Sequence, residues 1–141
     1  MKRYLFILSL LLTSGVSILL GNSTVPLPKN GILDLRESRL DNQTIINLNG
    51  EWNFHWEKLL DPGNFKQHEK EGILVTVPSY WKSYKIDGQE LTGEGYGTYS
   101  LKVLLPEEFK TNICFDIPVF DVAYKFYLNN KLVARNGEVG T

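Results

Sequence analysis

In the stretch GEWNFHW, Gly50 to Trp56, two tryptophans and a phenylalanine occupy every second position, with Glu51, Asn53 and His55 between them. A period of two places Trp52, Phe54 and Trp56 on one face of an extended strand, whereas a helix of 3.6 residues per turn would scatter them. The aromatic row is either a platform on which a ligand stacks or one wall of a core. In a two-sheet sandwich such a face must point inwards, so the row is expected to be core.

The rest of the chain has the same character. ILDLRES is a short alternating segment, and TIINLNGEWNFHW holds two more, interrupted at Asn49-Gly50. KLLDPGNF reads as a loop or a single helical turn. ILVTVPSYW is a strand that must stop near Pro78, because proline cannot donate to a ladder. TYSLKVLL alternates, with Tyr99, Leu101, Val103 and Leu105 on one face. NICFDIP is a further candidate strand. AYKFYLNNKLVA reads as two strands about Asn129-Asn130, a pair that tolerates the positive φ of a tight hairpin turn. Nothing sustains a helical period over a dozen residues. The expected class is all-β, a sandwich or barrel of short strands, and 141 residues leave room for one domain.

The N-terminus is organised differently. Lys2 and Arg3 precede an apolar run from Tyr4 to Leu20, the basic-then-apolar order of a secretory signal. Residues 1–21 are therefore expected to be a signal peptide or an N-terminal membrane anchor, and the domain to be exported. No cysteine follows the run to carry a lipid. Residues 22–30, with Pro26 and Pro28, read as a linker, and the domain is expected over 31–141. Removing Lys2 and Arg3 leaves 13 basic against 16 acidic residues, a net charge of −3 that repels phosphate backbones, so no nucleic acid is expected as a partner. The single cysteine, Cys114, sits in an apolar stretch and is expected to be a buried small hydrophobe.

Catalytic and cofactor patterns are missing. Gly93-Glu94-Gly95-Tyr96-Gly97 has the glycines of a phosphate loop, but a strand follows it where a helix N-terminus would be needed. His55 and His68 have no partners at metal-ligand spacing. No nucleophile elbow is present, and no pair of acids is marked out for glycosidase work. The expectation is a non-enzymatic module without cofactor or metal.

Sugar binding needs an apolar ring for the pyranose face and planar polar groups for its hydroxyls. The glycine-rich excursion WKSYKIDGQELTGEGYG supplies both. Trp81, Tyr84 and Tyr96 are candidates for stacking, and Glu94, with Asp87 and Gln89, for hydrogen bonding. The competing reading closes one end of the sandwich with Trp81 and leaves the polar residues as solvated loop. Asn22-Ser23-Thr24 and Asn42-Gln43-Thr44 match the glycosylation sequon, which is too short to be informative alone.

The phrases LNGEWNFHW, VPSYW, GYGTYSLKVLLP and FDVAYKFYLNNKLVARNGEVG, in that order, resemble the sugar-binding jelly-roll domain at the start of the β-galactosidase and β-glucuronidase glycoside hydrolases. They are more similar still to the galactose-binding-like extracytoplasmic domain of bacterial seven-transmembrane receptors with diverse intracellular signalling modules. The shared phrases are G-x-G-Y-x-T-Y, I-P-x-x-x-x-A-Y-K and N-G-x-V-G, the last at Asn136 to Gly140. The resemblance spans about Leu33 to Thr141. Asn130 stands where the hairpin usually has glycine, and Tyr80 where V-P-x-x-W often does. It implies a galactose-binding-like jelly-roll β-sandwich, incomplete at its C-terminus, with further strands, membrane helices and signalling output downstream. The function it implies is a periplasmic or cell-surface sensor of a carbohydrate or other small polar ligand. An accessory domain of a glycoside hydrolase and a structural module for protein contacts are the alternatives.

Overall fold

A computed structural model describes residues 25–110, 112–117 and 122–140. The expected signal or anchor, 1–21, lies outside the described residues, as do 22–24 of the linker. Among the described residues no helix is long and apolar enough to cross a membrane.

The protein is all-β, its strands gathered in several small sheets. The aromatic row forms β2 (Gly50–Trp56), the centre of an antiparallel three-stranded sheet between β3 (Ile73–Val77) and β6 (Gly97–Ser100). Phe54 lies opposite Ile73 on one side and Tyr99 on the other, so the apolar residues of three strands meet on one face. A short strand β1 (Ile32–Asp34) runs parallel to β7 (Lys102–Leu104), with Leu33 opposite Val103. Strands β6 and β7 are one stretch of chain broken at Leu101, which serves β2 first and then β1. Val103 and Leu105, expected to continue the face of Tyr99, are 43% and 37% exposed instead, because the break ends the alternation.

Packing starts at Pro28, three residues before the expected boundary. Pro28 is buried, and its carbonyl accepts the Glu51 N–H at 2.9 Å. The Gly31 N–H in turn donates to the Glu51 carbonyl at 3.2 Å, so both main-chain groups of Glu51 turn away from β3. Leu33 and Leu35 are fully buried beside this join. Between them Asp34 is held by Arg36, whose guanidinium Nε and Nη2 donate at 2.9 and 2.6 Å. These bonds lower the Asp34 pKa from 3.8 to about 2. A depressed carboxylate adds stability that is present above its unfolded pKa and lost as pH falls towards its folded one, here between about 4 and 2. In the Arg36→Ala protein the Asp34 titration, followed by carboxyl NMR, is expected to move up towards 3.8, stopping short of it because the main-chain N–H of residue 36 still donates to the carboxylate. An unchanged midpoint would show that the pair does not persist in solution.

Segment 44–49, expected to be a strand before Asn49-Gly50, has no regular structure. The KLLDPGNF loop is followed by a single helical turn, α1 (Phe65–His68), and a 3₁₀ turn, Glu69–Glu71. Together they cover the second face of β2. His55 is consequently 1% exposed, with its ring edge-on to Phe65 at 5.7 Å and its Nε2 bonded to the His68 carbonyl at 3.1 Å. A carbonyl can only accept, so Nε2 carries the hydrogen. Lys58 and His68 both bond Glu71 and tie the turn to the loop after β2; they hold its carboxyl below the usual range, Lys58 contributing most.

The second half of the chain is looser. The expected NICFDIP strand does not form over its described part, residues 112–117. Cys114, expected to be buried, is exposed. The Asn129-Asn130 hairpin forms as expected, from β8 (Tyr124–Leu128) and β9 (Lys131–Asn136), with Asn129 at φ 54°. A register shift falls between Phe126 and Tyr127. One face of the hairpin carries Tyr124, Phe126 and Ala134, and Phe126 meets Phe115 edge-on at 5.1 Å.

Candidate functional site

The chain leaves β3 at Pro78 and makes a 3₁₀ turn, Trp81–Ser83, that swings back over the aromatic face of β2. Trp81 lands beside Trp56, edge to face at 5.1 Å, and 6.1 Å from the Phe54 ring. Its indole N–H donates to the Tyr99 hydroxyl at 2.7 Å, and Tyr99 stacks on Phe54 at 4.6 Å. Tyr99 contacts the Tyr84 hydroxyl at 3.4 Å, and Tyr84 donates to the Thr76 carbonyl at 3.0 Å. The result is a donor chain from Trp81 through two phenols to the backbone of β3. Burial, with the Tyr84 contact, pushes the Tyr99 phenol well above its ordinary range, so Tyr99 keeps its proton across the physiological range.

The excursion then makes a small hairpin, β4 (Lys85–Ile86) with β5 (Gln89–Glu90), about Asp87 and Gly88. Both turn residues have positive φ, 51° and 80°, as a two-residue hairpin turn demands. Residues 92–97 return across the aromatic face. Gly95, at φ 150°, lies directly on the Trp56 ring, where any side chain would overlap the indole. A Cβ on Gly97 would come within 2.6 Å of the Phe54 ring. Close packing of backbone on aromatic rings thus accounts for two of the three glycines of the Gly93–Gly97 motif. The Glu57 N–H donates to the Tyr96 carbonyl at 2.9 Å and fixes the loop at its far end. At its near end the loop passes beside Lys82, whose Cε would lie 3.0 Å from a Cβ on Gly93.

The expected binding residues therefore fare differently. Trp81 and Tyr96 are half-buried and Glu94 is exposed, the last two flanking Gly95, which packs on the Trp56 ring. Tyr84, also expected to face a ligand, is 6% exposed and belongs to the core with Phe54 and Val75. Its ring packs on Phe54 at 5.4 Å and its hydroxyl is spent on Thr76, so it offers a ligand neither a face nor a donor. Asp87 and Gln89 are exposed on the small hairpin. Trp56 was not expected here. It shares the period of Phe54, and only the fold of the loop back over it distinguishes the end of the row from its buried middle.

Two concavities are present elsewhere. One follows the outer edge of β3 and includes Leu74, Thr76, Ser79, Ser83 and Tyr84. The other is an open cleft of about 600 Å³ lined by Lys125, Arg135, Asn136, Gly137 and Glu138. Neither includes Trp81, Glu94 or Tyr96. Among the described residues no cluster of His, Cys, Asp and Glu could hold a metal ion. Comparison of the chain with known families, curated proteins and solved structures finds no match.

Proposed function

We propose that the protein is an exported, non-catalytic ligand-binding module with a galactose-binding-like jelly-roll fold, and that it takes a carbohydrate or related small polar molecule on the Trp56–Trp81 pair. One observation carries the reading: two tryptophan rings remain partly exposed although both are locked, Trp56 under Gly95 and Trp81 by its bond to Tyr99. A ring fixed before binding loses little conformational freedom on meeting a sugar face, which favours stacking. Glu94, next to Gly95 on the loop, and Lys82, next to Trp81 on the turn, supply an acceptor and a donor for hydroxyls. The all-β class and the order of the sequence phrases support the jelly roll, and Val103, Leu105, Leu132 and Val133 are apolar positions that a packed second sheet would cover. In a sensor for signalling, binding would act by favouring one arrangement of the domain over another.

The test is a glycan array on the full chain, repeated with Glu94→Gln and Tyr96→Ala. Both changes are in the loop and leave the buried rings in place. Glycans that bind the native chain are expected to lose at least about tenfold in affinity with either variant, one lost charged hydrogen bond or stacking contact being worth about 1 to 3 kcal/mol. Binding that neither variant alters would remove the site from this face.

A further inference from the structure

We propose a second binding site, on the outer face of the β8–β9 hairpin, for a small hydroxylated carboxylate. Lys125 and Arg135 are directly opposed in the antiparallel register, so two cationic side chains leave the same face side by side. Like charges in that relation are destabilising unless something offsets them. Among the described residues the ion pairs are Arg36–Asp34, Lys58–Glu71, His68–Glu71 and Lys85–Glu90, and neither Lys125 nor Arg135 takes part in one. Both are exposed, and both line the open cleft of about 600 Å³.

The shape of the cleft follows from the chain beyond β9. Asn136 is tied across the hairpin by its amide, which donates to the Val122 carbonyl at 3.1 Å, and Gly137 turns the chain at φ 62°. Glu138 then comes back into the lining. Among the described residues the lining sets one carboxylate against two cations, a net positive charge, and no salt bridge consumes Glu138. The division of labour is chemical. The Arg135 fork and the Lys125 ammonium suit a ligand carboxylate, the guanidinium bidentately. Glu138 can only accept, so it suits hydroxyl donors on the same molecule and repels a bare anion. A volume of this size holds a molecule of six or seven carbons with room to spare. The site is separate from the Trp56–Trp81 pair and stands whether or not that pair binds sugar.

Titration of the full chain by NMR with three probes separates the contributions. Gluconate carries both groups, acetate the carboxylate alone and sorbitol the hydroxyls alone. Gluconate is expected to shift Lys125, Arg135 and Gly137 resonances with at least tenfold higher affinity than either of the others. Arg135→Gln is expected to lower gluconate affinity about tenfold, and so is Glu138→Gln. Raising the salt concentration is expected to weaken binding by screening. Acetate binding as tightly as gluconate, or Glu138→Gln strengthening both, would reduce the cleft to a general counterion site and overturn the proposal. No shift on the hairpin with gluconate would overturn it as well. All three side chains are exposed or rim the surface, and an unchanged circular dichroism spectrum establishes that each variant remains folded.

Discussion

Phe54→Ala is expected to destabilise the protein by about 3 to 5 kcal/mol, the usual cost of emptying a large aromatic site in a packed core. Phe54 is 1% exposed, with the rings of Tyr99, Tyr84, Trp56 and Trp81 between 4.6 and 6.1 Å away. Removing it leaves four aromatic neighbours without a common partner. A small domain has about 5 to 15 kcal/mol of net stability, so the loss should shift or abolish the urea transition followed by tryptophan fluorescence. Trp52→Ala is the comparison. Trp52 shares the face but is only half-buried, lies outside the core cluster, and donates its indole N–H to the Leu48 carbonyl at 2.8 Å. Its loss is expected to cost about 1 to 2 kcal/mol, from partial burial and one hydrogen bond. Equal midpoints for the two variants would mean that the core is not centred on Phe54.

Gly97→Ala is expected to cost about 1 to 3 kcal/mol by overpacking. The added methyl would lie 2.6 and 2.8 Å from two carbons of the Phe54 ring and 3.0 Å from the His55 carbonyl oxygen. The strand cannot back away, because Gly97 is in register with Trp56 and Thr98 is anchored on both sides. The Thr98 hydroxyl donates to the Lys58 carbonyl at 2.7 Å and accepts the Leu60 N–H at 2.9 Å. Gly140→Ala is the control, since a Cβ there meets nothing within 4 Å and the change should be near neutral. The readout is the near-ultraviolet circular dichroism of the coupled rings together with the unfolding midpoint. An unperturbed spectrum for Gly97→Ala would show that the loop does not press on the aromatic face as described.

The elements that were legible in the sequence are those whose cause is local. Alternation gave β2 and β3, proline gave the end of β3 at Val77, and the asparagine pair gave the turn between β8 and β9. Where alternation misled, a non-local partner was missing. Among the described residues neither segment 44–49 nor segment 112–117 has a strand paired with it, and Phe115 alone of the second meets a ring of the hairpin while Cys114 stays in solvent. The candidate site was legible in part. The excursion containing Trp81, Glu94 and Tyr96 was identified by its glycines and aromatics, yet Tyr84 could not be separated from Tyr96 by composition, since both are tyrosines in polar, glycine-rich surroundings.

By itself, then, the sequence determined the all-β class, the aromatic row on one face of β2 with Phe54 at its buried centre, and the end of β3 and the turn between β8 and β9, because period and turn chemistry act over a few residues. Only the tertiary structure decided which rings are covered. The 3₁₀ turn at Trp81–Ser83 carries Tyr84 under the sheet edge to Thr76, and the return of Gly95 and Gly97 over Trp56 and Phe54 leaves Trp56 and Trp81 only partly covered. It also decided that β2 is buried on both faces, as the turn at Phe65–Glu71 closes over His55. Burial is set by what packs against a side chain, and those partners come from residues 10 to 45 positions away, beyond the reach of any local pattern.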